Sequence, residues 1–175
     1  ERGPRFHDHP LFRMPQWSVN PYSLVAVTIG VAQGALENFI ESMRRRVSRF
    51  GDKVGELQSL QLRVAESSAE IDAAKRIMQS NLKETMEVLI DAEELPIELR
   101  ARNKRDMAYC PMLAARAVDR IFYAAGASGL FLSESIQRSF RDVHSGMRQI
   151  ALNWDVNGTT YGQIALGQDP GLVRW

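Results

Sequence analysis

The sequence predicts an all-α fold, an antiparallel up-down four-helix bundle with a short extra helix at its C-terminal end. Three observations predict it. Apolar residues recur three and four apart in four successive stretches, the period of helices that each bury one face. No stretch shows the two-residue alternation of a half-buried strand. The breaks between stretches are short and carry Gly, Pro or Asn, so consecutive helices must double back on one another. With 175 residues, the chain is long enough for one domain with a real core.

Residues 1–20 contain Pro4, Pro10 and Pro15 beside Phe6, Leu11, Phe12 and Trp17, and prolines at that density predict an extended arm without regular structure. The bundle is expected over residues 21–168. Its first helix starts at Asn20-Pro21, a capping residue followed by a proline preset for the first turn. Val25, Ile29, Ala32, Leu36, Ile40, Met43, Val47 and Phe50 then mark one apolar face down to Gly51. Gly30 and Gly34, one turn apart, suggest close packing against another helix. Arg44, Arg45, Arg46 and Arg49 crowd the helix end, where cations suit the dipole and can also meet a phosphate.

The second helix runs from about Leu57 to Ala92, with Leu60, Val64, Ile71, Ala74, Met78, Leu82 and Leu89 in its seam. At ~1.5 Å per residue it spans on the order of 50 Å, a length suited to a bundle. The third opens at Pro96 and carries Leu113, Ala117, Val118 and Ile121, with Pro111 predicting a kink. Gly126-Ala127-Ser128-Gly129 closes it. The fourth begins near Ser133 as N-cap and carries Ile136, Phe140, Val143 and Met147. Asn153-Trp154-Asp155 breaks it, and Asp155 is expected to cap a last helix that ends at Gly167. Residues 169–175 form a tail.

Composition narrows the function classes. A net charge of +1 offers no strong field for nucleic acid or an anionic membrane. The longest apolar run, Leu24 to Leu36, is interrupted by Thr28, Gly30, Gln33 and Gly34 and is short of a membrane span. The polar start shows no signal peptide, and a single cysteine suits a reducing, cytoplasmic setting. The sequence starts without an initiator Met, and it is expected to be a piece of something longer. Neither His-x-x-x-His nor Glu-x-x-His occurs, so no metal is expected, and His7 and His9 read as ordinary loop histidines. Cys110, before Pro111 on an apolar helix, reads as a core residue. Arg141, His144, Ser145 and Arg148 share a helical face. His144 there reads first as a surface or packing residue, with proton handling the alternative.

The ordered set Arg49-Phe50-Gly51, Glu56-Leu57-Gln58, Leu62-Arg63-Val64-Ala65-Glu66, Gly126-Ala127-Ser128-Gly129-Leu130 and Arg138-Ser139-Phe140-Arg141-Asp142 resembles the C-terminal helical domain of the acyl-CoA dehydrogenase superfamily over residues 22–168. The resemblance implies a parent subunit with an N-terminal helical domain and a middle β-domain, both absent from this sequence. True acyl-CoA dehydrogenases usually carry their catalytic carboxylate eight residues past the Asp of the Arg-Asp pair, and here that position is Ile150. Isoleucine cannot abstract a proton. Some members place the base on the first helix, which leaves Glu37 as a dehydrogenase alternative.

Arg141-Asp142-Val143-His144, then Ile150-Ala151-Leu152-Asn153-Trp154-Asp155 and Tyr161-Gly162, looks closer to the two-component flavin-dependent monooxygenases. That branch implies hydroxylation of a small aromatic substrate through a C4a-hydroperoxyflavin. The reduced FMN or FAD comes from a separate flavin reductase. The resemblance implies a catalytic role for His144, although many relatives carry their histidine about five residues later, at Gln149 here. It implies flavin binding across a subunit interface by Arg46, Arg49, Phe50, Gly126 and Gly129, in a homo-oligomer, typically a tetramer. A non-catalytic helical oligomerisation module is the remaining alternative.

Overall fold

In the computed structural model, which describes residues 7–48, 51, 53–173 and 175, the long elements are helices. They are α1 (Gln16–Val19), α2 (Tyr22–Arg45), α3 (Gln58–Asp91), α4 (Ile97–Ala125), α5 (Ser135–Gly146) and α6 (Trp154–Ala165). The described residues contain no strand, only an isolated antiparallel bridge between Val47 and Lys53 after α2.

Side-chain pairs fix the helix directions. Between α3 and α4, Ser67 meets Ala117, Glu70 meets Arg116 and Arg120, Asn81 meets Asp106, and Glu84 meets Arg102. Numbers rise on one helix as they fall on the other, so the two are antiparallel. Tyr22 reaches Asn103 while Arg46 reaches Ala125, so α2 runs parallel to α4. Phe122 stacks on Phe140 and Asp119 bonds His144, so α5 runs antiparallel to α4. This is the expected up-down order.

The core runs through all four helices. Val25, Ile29 and Phe39 of α2, Ile71 of α3, Val118 and Ile121 of α4, and Val143 of α5 lie in one buried cluster. Small residues let α4 sit at the centre: Ala114 and Ala117 are fully buried there. α4 is helical from Ile97 to Ala125 with Pro111 buried inside it. Cys110 is a free buried thiol, pushed up to about 12 by burial, with the Asp106 charge adding to the effect.

Several local expectations are corrected. The described part of the proline-rich arm forms a 3-10 turn at Pro10–Arg13 and the short α1, because Pro10 and Pro15 each stand at the start of a turn, where no backbone N–H is missed. Arg13 donates to the Leu89 carbonyl at 2.8 Å and Met14 packs on Leu89, Leu95 and Leu99, which ties the arm to the α3–α4 corner. α2 ends at Arg45, so Val47 lies past its last turn and is exposed; Phe50 is outside the described residues. α5 is capped by Glu134 without a side-chain bond, not by Ser133. Asn153, not Asp155, caps α6: its Oδ1 accepts from the Val156 N–H at 3.0 Å. A segment within Gln16–Arg45 is long and apolar enough to cross a membrane by length and composition, more than the uninterrupted run suggested. Thr, Gly and Gln break a run of apolar letters without adding a charge.

Glu70 gives the fold a pH signature. Its side chain is 13% exposed between Arg116 and Arg120, with Arg120 at 2.7 Å. Burial raises its carboxyl, but the hydrogen bonds from Arg120 and Arg116 outweigh burial and leave it below the ordinary 4.5. A carboxyl depressed in the folded state stabilises above its unfolded value and loses that contribution as pH falls through the folded one. Stability to urea should therefore fall as pH drops below about 4.5, and Glu70→Gln should flatten that fall. An unchanged pH profile in the variant would remove Glu70 from the account.

Candidate functional site

The outward face of α2 is the first unusual surface. From Met14 to Leu36 the chain carries no charged residue. One face of α2 enters the core, yet Leu24 is 38% and Val27 66% exposed on the other. Gly30 and Gly34 lie on that outer side as well, and a Cβ added to either would meet nothing within 4 Å. The expected helix–helix contact at these glycines is therefore not made by this chain. They leave a flat apolar strip whose first charge is Glu37, one turn further on. Glu37 is exposed and its Oε1 accepts from Gln33 Nε2 at 2.8 Å. Ile150, in the 3-10 turn Ile150–Leu152, is 70% exposed.

The basic end of α2 and the glycine turn meet within this one chain. Arg46 Nη1 donates to the Ala125 carbonyl at 2.9 Å, at the negative end of the α4 dipole. Gly126 follows at φ +68°, a conformation that favours glycine, and opens the 3-10 turn Gly126–Leu130. Gly129 is needed for space: a Cβ there would stand 3.0 Å from the Ala125 Cβ. Arg46, Gly126 and Gly129 thus share one end of the bundle, while Arg49 and Phe50 lie outside the described residues.

His144 has a specific partner. Its Nε2 lies 2.7 Å from Asp119 Oδ1, with both side chains about one-third exposed at 33% and 34%. Its ring also meets Phe140 at 4.8 Å between centroids. Val143 beside it is fully buried, and Gly146 faces Thr28 of α2. At ~100° per residue, His144 and Gly146 fall on opposite flanks of α5. His144 therefore faces α4, whereas the flank towards α2 carries Gly146. Arg141 and Ser145 neighbour it on the helix but are exposed, and Arg148, expected on the same face, lies past the end of α5. Gln149 turns back on the chain, its Oε1 accepting from the Ala151 N–H.

A buried polar network was not anticipated. Asn81 Nδ2 donates to the Tyr22 hydroxyl at 2.7 Å and to Asp106 Oδ2 at 2.8 Å. Arg105 Nε donates to Asp106 Oδ1 at 2.7 Å, and its guanidinium lies over the Tyr161 ring at 4.4 Å. Asn103 donates to Thr85 Oγ1 at 2.9 Å. Burial drives the Tyr22 phenol above its ordinary range, against the opposing effect of the Asn81 hydrogen bond. The network joins α2, α3, α4 and α6 by directional bonds. Its sequence signal was present: Asn81 and Thr85 fall four apart within the seam of α3.

No group of three or more metal-ligating side chains occurs among the described residues.

Comparison with known proteins agrees with this helical fold. Residues 22–154 match the family described as Acyl-CoA dehydrogenase, C-terminal domain. The chain is 32% identical over 164 residues to the flavin-dependent monooxygenase oxygenase subunit HsaA of Mycobacterium tuberculosis, covering 93% of this chain and 42% of that protein. It is 32% identical over 178 residues to the oxygenase component of the FADH(2)-dependent resorcinol hydroxylase of Rhizobium sp., covering 96% of this chain and 44% of that protein. The crystal structure of 3-HSA hydroxylase from Rhodococcus sp. RHA1 superposes with a TM-score of 0.82 at 30% identity, over 91% of this chain and 40% of that one. The chain thus spans less than half the length of the relatives it matches. With the family matched over most of its helices and the bundle reproduced, the chain belongs to the acyl-CoA dehydrogenase C-terminal domain family.

Proposed function

We propose that this chain is the C-terminal helical domain of the oxygenase component of a two-component flavin-dependent monooxygenase. The whole protein hydroxylates a small aromatic compound with O2 and with reduced FMN or FAD from a separate reductase. The observation that carries this reading is the uncharged outer strip of α2 together with Ile150. A dehydrogenase needs a carboxylate where this chain presents hydrocarbon.

The residues fit a flavin. A planar ring can lie along Gly30 and Gly34, where no side chain stands in the way. Arg46, beside the Gly126–Gly129 turn, keeps further guanidinium donors for a phosphate. Reduced flavin with O2 would supply the transferred oxygen. The chain's own part is exclusion of water by Leu24 and Val27, which present hydrocarbon on the outer side of α2. Leu130, Phe131 and Leu132, exposed by 67%, 65% and 80%, support assembly into a homo-oligomer, proposed as a tetramer.

The test uses the full-length polypeptide that contains this chain. Given a flavin reductase, NADH and resorcinol, it should consume O2 and release a hydroxylated product. Given an acyl-CoA and an electron acceptor, it should do nothing. Reduction of the acceptor by the acyl-CoA would overturn the reading. Glu37 supports the dehydrogenase rival, because it projects from the outer side of α2 just past the strip. Glu37→Gln should leave hydroxylation within about twofold, as expected for an exposed side chain outside the proton path. Loss by a factor of about 100, the scale of a missing general base, would make Glu37 that base.

A further inference from the structure

We propose that residues 9–15 form a strap that holds the far end of α3 closed: Arg13 caps that helix from outside it, and the end of α3 unwinds when the strap lifts. The strap couples the segment that leads into α2 to a helix end 76 residues further along. It uses neither the outer strip of α2 nor the Gly126–Gly129 turn, and it does not rest on the function proposed above.

α3 is poorly equipped to hold this end by itself. Carbonyls in the last turn of a helix lack partners within the helix. Cations offset the negative end of the dipole there, and acids aggravate it. α3 has no basic residue in its last turn, and it closes in extended backbone at Ala92. From Glu84 to Leu99 the chain carries Glu84, Glu87, Asp91, Glu93, Glu94 and Glu98 and no Lys or Arg. The missing cation comes from the arm: Arg13 Nη2 donates to the Leu89 carbonyl at 2.8 Å, in the last turn. Arg100, the other cation at this corner, is engaged by the Leu95 carbonyl at 2.6 Å and by Glu94 at 3.1 Å, both beyond α3.

An apolar contact backs the bond. Leu89, Leu95 and Leu99 form a buried cluster apart from the main core, and Met14 packs on it. Arg13 and Met14 are half-buried, while Leu11 and Phe12 beside them are 55% and 41% exposed. Two adjacent side chains therefore hold the arm down. A small satellite cluster opens more readily than the main core, so the strap and the corner open as one unit.

Amide hydrogen exchange of the 175-residue chain tests this. Arg13→Met keeps most of the side chain's length and removes its donors. It should speed exchange at Ile90, Asp91 and Ala92 by about tenfold, the scale of one lost hydrogen bond to a charged group. Ile71 and Val118, in the main core, should keep their native rates. Met14→Ser should speed the same three amides, because it lifts the other half of the strap. Asp91→Asn added to Arg13→Met should restore part of the protection, since it takes an acid away from the helix end. Lys83→Met, which removes an exposed cation from α3, should leave the three amides as they are. Equal acceleration by Lys83→Met would overturn the proposal, reducing Arg13 to a share of the net charge. So would native rates at the three amides in Arg13→Met or in Met14→Ser. A rise that extends to Ile71 and Val118 would also overturn it, because the arm would then belong to the global unfolding unit.

Discussion

Asp106→Ala is expected to destabilise the chain by about 3 kcal/mol, the scale of breaking a buried ion pair by removing one partner. For a domain of this size that lowers Tm by roughly 6–12 °C. Asp106 is 5% exposed and accepts from Asn81 on one oxygen and from Arg105 on the other. Its removal leaves Asn81 with the Tyr22 hydroxyl alone and strips Arg105 of its carboxylate, while Arg105 keeps the Tyr161 ring. Asp106→Asn preserves an oxygen for Asn81 and should cost less than the alanine variant. Tyr22→Phe combined with Asp106→Ala should fall short of the sum, because both act on Asn81. Thermal unfolding of the wild type, the three single variants Asp106→Ala, Asp106→Asn and Tyr22→Phe, and the double variant checks this. A loss below 1 kcal/mol for Asp106→Ala, no more than an ordinary surface substitution, would show that the network contributes only order.

The bundle was legible because each long helix buries a stripe set by its own period, and the boundaries of α3 and α4 came out within a residue. The arm was not, since proline density was weighed above proline position. The cap of α6 was missed because Asn153 and Asp155 are both good caps, and only the backbone decides which oxygen faces the Val156 N–H. Gly30 and Gly34 show how a periodic small-residue pair misleads: the spacing that lets two helices touch also leaves a surface bare for something outside the chain. Apolar patterning passed over Ser67, Asn81 and Thr85, which occupy seam positions of α3 and are buried there by hydrogen bonds. The candidate site was legible as a set of residues but not as a set of directions. Arg46 and the Gly126–Gly129 turn were named for a site shared between subunits, and their meeting within one chain through the Ala125 carbonyl was not read from the sequence. His144 was picked by type, and its bond to Asp119 across α4 could not be read from either helix alone.

That bond supports the second large effect. His144→Ala should cost about 1–2 kcal/mol, the net worth of a half-buried hydrogen bond to a carboxylate. Asp119→Asn should cost less, since an amide can still meet Nε2. The two changes should be coupled in a double-mutant cycle by about 1 kcal/mol, as expected for side chains in direct contact. With Asp119 accepting at Nε2, the imidazole carries its proton there and only Nδ1 is left to address a ligand. The same variants of the full-length polypeptide then separate packing from proton handling through the hydroxylated product formed per O2 consumed. If His144 joins α4 to α5, both variants should lose stability and keep that ratio. The flank of α5 that His144 occupies, away from Thr28 and the α2 strip, makes this the expected result. A tenfold fall in the ratio for His144→Ala, with Asp119→Asn unchanged, would instead assign the imidazole to keeping peroxide from escaping, on the scale of a lost general acid or base.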